Sequence, residues 1–379
     1  MAPISAFRSL NDWLSNMLSF IDTLYTFSRI LISIIFLLYL IQAASFAAAE
    51  GKCQKFAENS IRTVPPRTAL IVRQGTRDDS EYKTISDAVN DLKKLSGPQQ
   101  IFIFPGKYNE HVEIDYTDSL LIQGYTSDSQ SLVQNEVVVH VELSMEQAGS
   151  ISQSSAENII LGHTLKREFF CATLKALKCA MCGDVINSFG KGTDSQAVAL
   201  TAGGEQQVFK RCLFSSYQDT LYVPSKRAYF YQCRIEGAVD FIFGAGTAWF
   251  EKVQIAVKSP LYSSVIAAQS RLAKDQTRFV FSRSRVFGIE GTPAASVCLG
   301  RPWTSYSAVT YQFCDFSDII KPEGWSTWMP DNPQTEHIQF EEYSNTGPGA
   351  RPKHKLANML SEPRTIESVL GADFVAWAI

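Results

Sequence analysis

Gln196-Ala-Val-Ala-Leu200, Tyr217-Gln-Asp-Thr-Leu-Tyr222 and Gly237-Ala-Val-Asp-Phe-Ile-Phe-Gly244 stand at nearly equal intervals in one strand-rich stretch. Gln196 to Gln218 is a step of 22 residues and Asp219 to Asp240 a step of 21. Phe209, Phe230 and Phe250 keep this step in apolar positions, and Cys212 and Cys233 keep it in cysteines. A period of about twenty residues in β-rich sequence predicts an all-β solenoid, each repeat one turn of a parallel β-helix. Residues one period apart then lie above one another at the inter-strand spacing of roughly 4.8 Å. Gln196, Gln218, Asp219 and Asp240 would gather on one face.

The flanks extend this pattern. Arg67 to Val72 reads as a first strand, and Ile101 to Phe104, Leu120 to Ile122 and Val137 to Val139 read as successive coils with Gly, Asp and Ser at the corners. Tyr82 to Leu92 has apolar residues at 85, 88, 89 and 92, a helical period, and should cap the first coil. After Gly244, strands are expected at Ala248 to Val257, Ser264 to Gln269, Arg278 to Phe281 and Ala308 to Phe313. The tail from Leu356 to Trp377 has helical spacing at Ile366, Val369, Leu370 and Phe374 and should cap the far end. Between Leu143 and Gly183 the pattern thins, and Lys166 to Cys179 reads as a helical insertion or an error in the translated gene. No linker divides the chain, so one domain is expected over residues 66–379, after a polar leader at 50–65.

With 379 residues, 45% hydrophobic and 19% charged, the chain can bury a large core. A net charge of −3 without a basic tract argues against nucleic acid as a partner. Ile30 to Ala49 carries no charge, follows Arg29 and ends in small residues, the pattern of a secretory signal peptide over residues 1–49 cleaved near Glu50. Twenty apolar residues also suffice for a single membrane anchor. Eight cysteines fit an oxidising compartment. Cys212 and Cys233, one period apart, are placed either as a disulfide between adjacent coils bracketing Asp219 or as two buried thiols. Cys179-Ala-Met-Cys182 has no second pair or histidine cluster beside it, so no metal is expected.

Five ordered motifs carry a resemblance: Gly106-Lys-Tyr-Asn-Glu110, Gln196-Ala-Val-Ala-Leu200, Gln218-Asp-Thr-Leu221, Asp240-Phe-Ile-Phe-Gly244 and Leu299-Gly-Arg-Pro-Trp303. Together they resemble the pectin methylesterases, carbohydrate esterases that demethylate homogalacturonan. The resemblance implies a right-handed parallel β-helix of the pectin-lyase type with short helical caps. It also implies methyl-esterified pectin as substrate, no cofactor, a secreted enzyme of the cell wall and a monomer.

The residue inventory suits that chemistry. There is no Gly-x-Ser-x-Gly elbow and only five histidines, so carboxylates, amides and arginine must do the work. Two aspartates on adjacent rungs do not both ionise easily, and the one nearer a cation keeps its charge. By resemblance Arg301 bonds Asp240 and orients it as nucleophile, while Asp219 carries the proton as general acid and base. Gln196 and Gln218 are the implied oxyanion donors. Trp303, Tyr222 and Phe243 are expected to line the sugar groove, with Trp325 a further candidate. Tyr108 reads as a structural corner residue without a catalytic role.

Polygalacturonases and pectate lyases share the fold, but the former resemble another aspartate set with a Gly-His-Gly element, and only Gly162-His163-Thr164 comes near it. A thioesterase relative or a non-catalytic wall-binding protein would also fit the solenoid. Loss of a catalytic residue would mark the wall-binding protein, and all five are present.

Overall fold

The computed structural model describes residues 63–116, 118–127, 136–142, 172–174, 177–181, 183–190, 195–259, 264–289 and 291–378, the two short strands at 172–174 and 177–181 by their backbone. The N-terminal apolar run, most of the leader and residues 143–171 lie outside these residues.

Each coil of the chain contributes strands to three parallel sheets. Among the described residues these have eleven, eight and seven strands, and every strand pairing is parallel. One sequence period therefore holds three short strands separated by bends, where a single strand per coil would leave most of the period as loop. The expected strand from Ala248 to Val257 shows the difference. It is two strands, Thr247–Glu251 in the eleven-stranded sheet and Gln254–Val257 in the eight-stranded sheet. Lys252 between them has φ +56°, a left-handed residue that turns the corner. Arg211, Gln232, Arg283, Phe313 and Ser344 take the same conformation at the equivalent bend of other coils.

Inside the coils the apolar period becomes a column of rings. Phe209, Phe230, Phe250, Phe281 and Tyr311 stack nearly parallel, with successive centroids 4.8, 4.8, 4.5 and 4.5 Å apart. All five are buried, and burial of such rings supplies much of the hydrophobic stabilisation along the axis. Helix α1, Ile85–Leu92, buries Ile85, Ala88, Val89 and Leu92 against the first strands, as its spacing predicts. Thr84 caps it, and Glu110 adds carboxylate contacts to the Ile85 and Ser86 N–H groups at 2.8 Å each. The Gly106 to Glu110 motif therefore serves the cap, with Tyr108 buried and its hydroxyl donating to the Phe104 carbonyl.

Two expectations are corrected. Ala172–Leu174 and Leu177–Met181 are strands paired in parallel with their neighbours, so the helical reading of 166–179 fails where the chain is described. The C-terminal helices α2, Ile366–Leu370, and α3, Phe374–Ala378, do not cap the far end. They lie on the outer face of the eleven-stranded sheet, where Leu370, Phe374 and Trp377 pack on Val208, Tyr229, Trp249 and Val280. Those four residues form an outward apolar stripe that water would otherwise meet. Arg227 fastens the segment, pairing with Glu205 and Asp373 and donating to the Leu370 carbonyl.

Candidate active site

The seven-stranded sheet carries the polar motifs on its outer face. Leu221–Tyr222 pairs with Val239–Gly244, Leu221 opposite Ile242 and Tyr222 opposite Phe243. Isolated bridges join Gln196 to Gln218 and Gln218 to Val239, which sets Asp219 over Asp240 on adjacent rungs. Both aspartates are left-handed, φ +63° and +47°, and against the next strand the register slips between Val239 and Ile242. This bulge breaks simple alternation: Phe241 and Ile242 both enter the core, and the Asp240 side chain is turned to the outer face. A Cβ on Gly237 would stand 2.2 Å from that of Phe241, so this turn requires glycine.

Arg301 follows the strand Val297–Gly300, two strands beyond Asp240 in the same sheet. Its Nε donates to Asp240 Oδ1 at 2.9 Å and its Nη2 to Oδ2, a two-pronged grip. Burial pulls the guanidinium pKa down, but the hydrogen bonds and charge of Asp240 outweigh it and leave Arg301 raised. The carboxyl of Asp219 is pushed well above the ordinary carboxylate range by desolvation first and by the charge of Asp240 second, with Arg301 opposing. The two carboxyls therefore differ in environment: one is held by a cation, the other is kept short of solvent beside an anion.

Gln218 Oε1 accepts from the Ser195 N–H at 3.2 Å, which fixes the amide orientation and leaves the NH2 as its donor end. Gln196 stands on the adjacent rung, with Ala197 N–H bonded to the Gln218 carbonyl at 3.0 Å. Beside them Tyr222 and Phe243 stack at 4.6 Å and 11°, and Trp303 leans on Phe243 at 6.0 Å. Val198 and Ala268 complete this apolar strip. Desolvation and then Asp219 push the Tyr222 hydroxyl up to about 12, so it stays protonated beside the carboxyl.

Trp325 is not in the groove. It is 2% exposed, stacked on Phe340 at 4.2 Å, and its Nε1 donates to buried Glu342. The absence of a side chain at Gly300 lets its ring sit 3.0 Å from where a Cβ would be. The Trp328 ring instead lies against the Arg301 guanidinium at 4.3 Å, partly exposed.

The disulfide is likewise corrected. Cys212 and Cys233 stand as thiols, both buried. Their side chains occupy equivalent places in the bends of adjacent coils and meet backbone carbonyls, Cys212 that of Lys210 and Cys233 those of Phe209 and Tyr231. Cys314 does the same further along the solenoid. Parallel side chains one rung apart stand at about 4.8 Å, whereas a disulfide draws its Cβ atoms to about 3.8 Å with their bonds turned toward each other.

A parallel β-helix that carries two stacked carboxyls, one of them arginine-bound, beside an aromatic strip has the elements of a carbohydrate-active hydrolase, the class to compare. The pectinesterase family profile matches residues 71–359. A probable pectinesterase A of Neosartorya fischeri is 35% identical over 323 residues, covering 84% of this chain and 91% of the relative. The crystal structure of the pectin methylesterase from Aspergillus niger superposes with a TM-score of 0.73 at 30% identity, over 84% of this chain and 99% of that one. A pectin methylesterase solved in complex with a hexasaccharide superposes with a TM-score of 0.65 at 26% identity, over 81% and 98%. The chain belongs to the pectinesterase family.

Proposed function

We infer that this site hydrolyses the C6 methyl esters of homogalacturonan by a two-aspartate route, giving pectate and methanol. The observation that carries the reading is the stacked pair: Asp240 gripped at both oxygens by Arg301, and Asp219 above it with a raised affinity for its proton.

A carboxylate oxygen of Asp240 attacks the ester carbonyl carbon of a galacturonate unit, and the carbonyl π pair moves to oxygen. The oxyanion accepts N–H bonds from Gln196 and Gln218. As it collapses, the bond to the methoxy oxygen breaks and Asp219 gives that oxygen its proton, releasing methanol. Asp219, now a carboxylate, takes a proton from water as its oxygen attacks the acyl carbon of the anhydride. The product acid leaves and Asp240 is restored. One ester and one water become one acid and one methanol, with no cofactor in the cycle.

Trp303, Tyr222 and Phe243, together with Trp328, present ring faces on which sugar rings can lie. A polymer substrate and a groove of this kind suit an enzyme acting outside the cell as a monomer, in cell wall modification or pectin degradation. The fungal relatives and the signal-like run at 30–49 support that placement.

The test is methanol release from highly methylated pectin, read beside the rise in titratable acid. Asp219→Ala should release none while its circular dichroism matches the parent. Substantial retained turnover in that variant would sink the two-carboxylate route.

A further inference from the structure

We propose that Asn187 is a positioning residue for the oxyanion donors, holding Gln196 and Gln218 in place from the far side of a corner. This rests on the oxyanion reading of the two glutamines. Asn187 ends the strand Asp184–Asn187 of the eight-stranded sheet and is 3% exposed. Its Nδ2 donates to the Val198 carbonyl at 3.1 Å and its Oδ1 accepts from the Phe189 N–H at 3.1 Å. A carbonyl on one side and an N–H on the other fix which end of the amide is which.

Val198 is two residues beyond Gln196 and belongs to the apolar strip with Phe243 and Ala268. The segment Ser195 to Ala199 is thus tied on two sides. On one, Ala197 N–H bonds the Gln218 carbonyl at 3.0 Å, Ala199 N–H bonds the Thr220 carbonyl at 2.9 Å, and Ser195 N–H holds the Gln218 side-chain oxygen. On the other, Asn187 anchors the Val198 carbonyl. Gly190, left-handed at φ +51°, brings the chain beyond Asn187 so near that a Cβ there would meet the Ser195 Cβ at 3.0 Å. Released from Asn187, this segment shifts, and Gln196 moves with its own backbone while Gln218 loses the fixed orientation of its amide. Misplacement of about 1 Å suffices for a hundredfold loss in rate.

A double-mutant cycle separates positioning from mere support of the fold. Asn187→Asp keeps the acceptor for Phe189 and loses the donor to Val198. Methanol release should show kcat lowered by roughly 10- to 100-fold with KM within about twofold. In a background lacking both donors, Gln196→Ala with Gln218→Ala, the same change should cost less than about threefold, because the donors it positions are gone. Equal losses in both backgrounds, a loss confined to KM, or an unchanged kcat would overturn the role. If Asn187→Asp does not fold, Asn187→Ala, which removes both bonds without a buried charge, goes through the same cycle and is judged by the same outcomes. An intact kcat in Gln196→Ala alone would instead overturn the oxyanion reading, and this inference with it.

Discussion

Arg301 reaches across an intervening strand to hold both carboxylate oxygens of Asp240, its Nε 2.9 Å from Oδ1, with the pair largely buried. The Trp328 ring lies against one face of the guanidinium. A buried carboxylate needs this partner for charge as well as direction. Arg301→Ala should therefore lower stability by about 3–5 kcal/mol, the usual cost of leaving one buried charge unpaired. Arg301→Lys keeps the charge and loses the fork, so its stability should recover in part while kcat stays down on the order of 10²-fold. Denaturant unfolding and methanol release on the same samples check both.

The raised proton affinity of Asp219 has a sign that can be read in unfolding. Folding lifts this pKa above its unfolded value, so between about pH 4 and the folded value the native state binds more protons than the unfolded one. Its contribution to stability is full below the unfolded pKa and is lost as pH rises through the folded pKa. Asp219→Asn removes the titration and the repulsion with Asp240. Its melting temperature should exceed the parent's at neutral pH, the gain shrinking as pH falls toward 4, while activity disappears. A variant less stable than the parent at pH 7 would contradict this electrostatic account.

Two tryptophans three residues apart should behave oppositely. Trp325→Ala opens a core cavity and strands the Glu342 and His354 pair that it helps to hold, at a cost of about 3–5 kcal/mol or more. Trp328→Ala should leave the melting temperature within a few degrees and raise KM or lower kcat on pectin. Thermal unfolding beside steady-state kinetics separates them, and the reverse pattern would restore Trp325 to the groove.

Cys212 and Cys233 should each take up alkylating reagent when the protein is unfolded without reductant, and reductant should leave the melting temperature unchanged on their account. Peptide mapping decides it. A linked peptide containing both would reinstate the bridge. The thiol of Cys314 is pushed up to about 12 by burial, so native labelling there should be slow even at alkaline pH.

What a sequence period makes legible, and what it hides, divides along one physical line. Phe209, Phe230 and Phe250 are in register in the solenoid because stacking one period apart follows from the step alone. The same step brings Gln196, Gln218, Asp219 and Asp240 to one face, and the motif carries Arg301 to them. Side-chain direction at bends does not follow from a period. Trp325 turns into the core where a groove position was expected, and Cys212 and Cys233 share a column yet stand as thiols, so register did not bring bonding. The C-terminal helices were legible as helices, but their seat depends on the outward stripe of Val208, Tyr229, Trp249 and Val280, which emerges only when three strands per coil are recognised. Asn187 acts across a corner, between residues eleven apart, where no repeat points.

The most direct measurement is methanol release from highly methylated pectin by the protein and by Asp240→Ala, with circular dichroism of both. The account predicts release by the parent and none by the variant, with matching β-rich spectra. Comparable release by a folded Asp240→Ala would contradict Asp240 as the nucleophile, and no release by a folded parent would contradict the function itself.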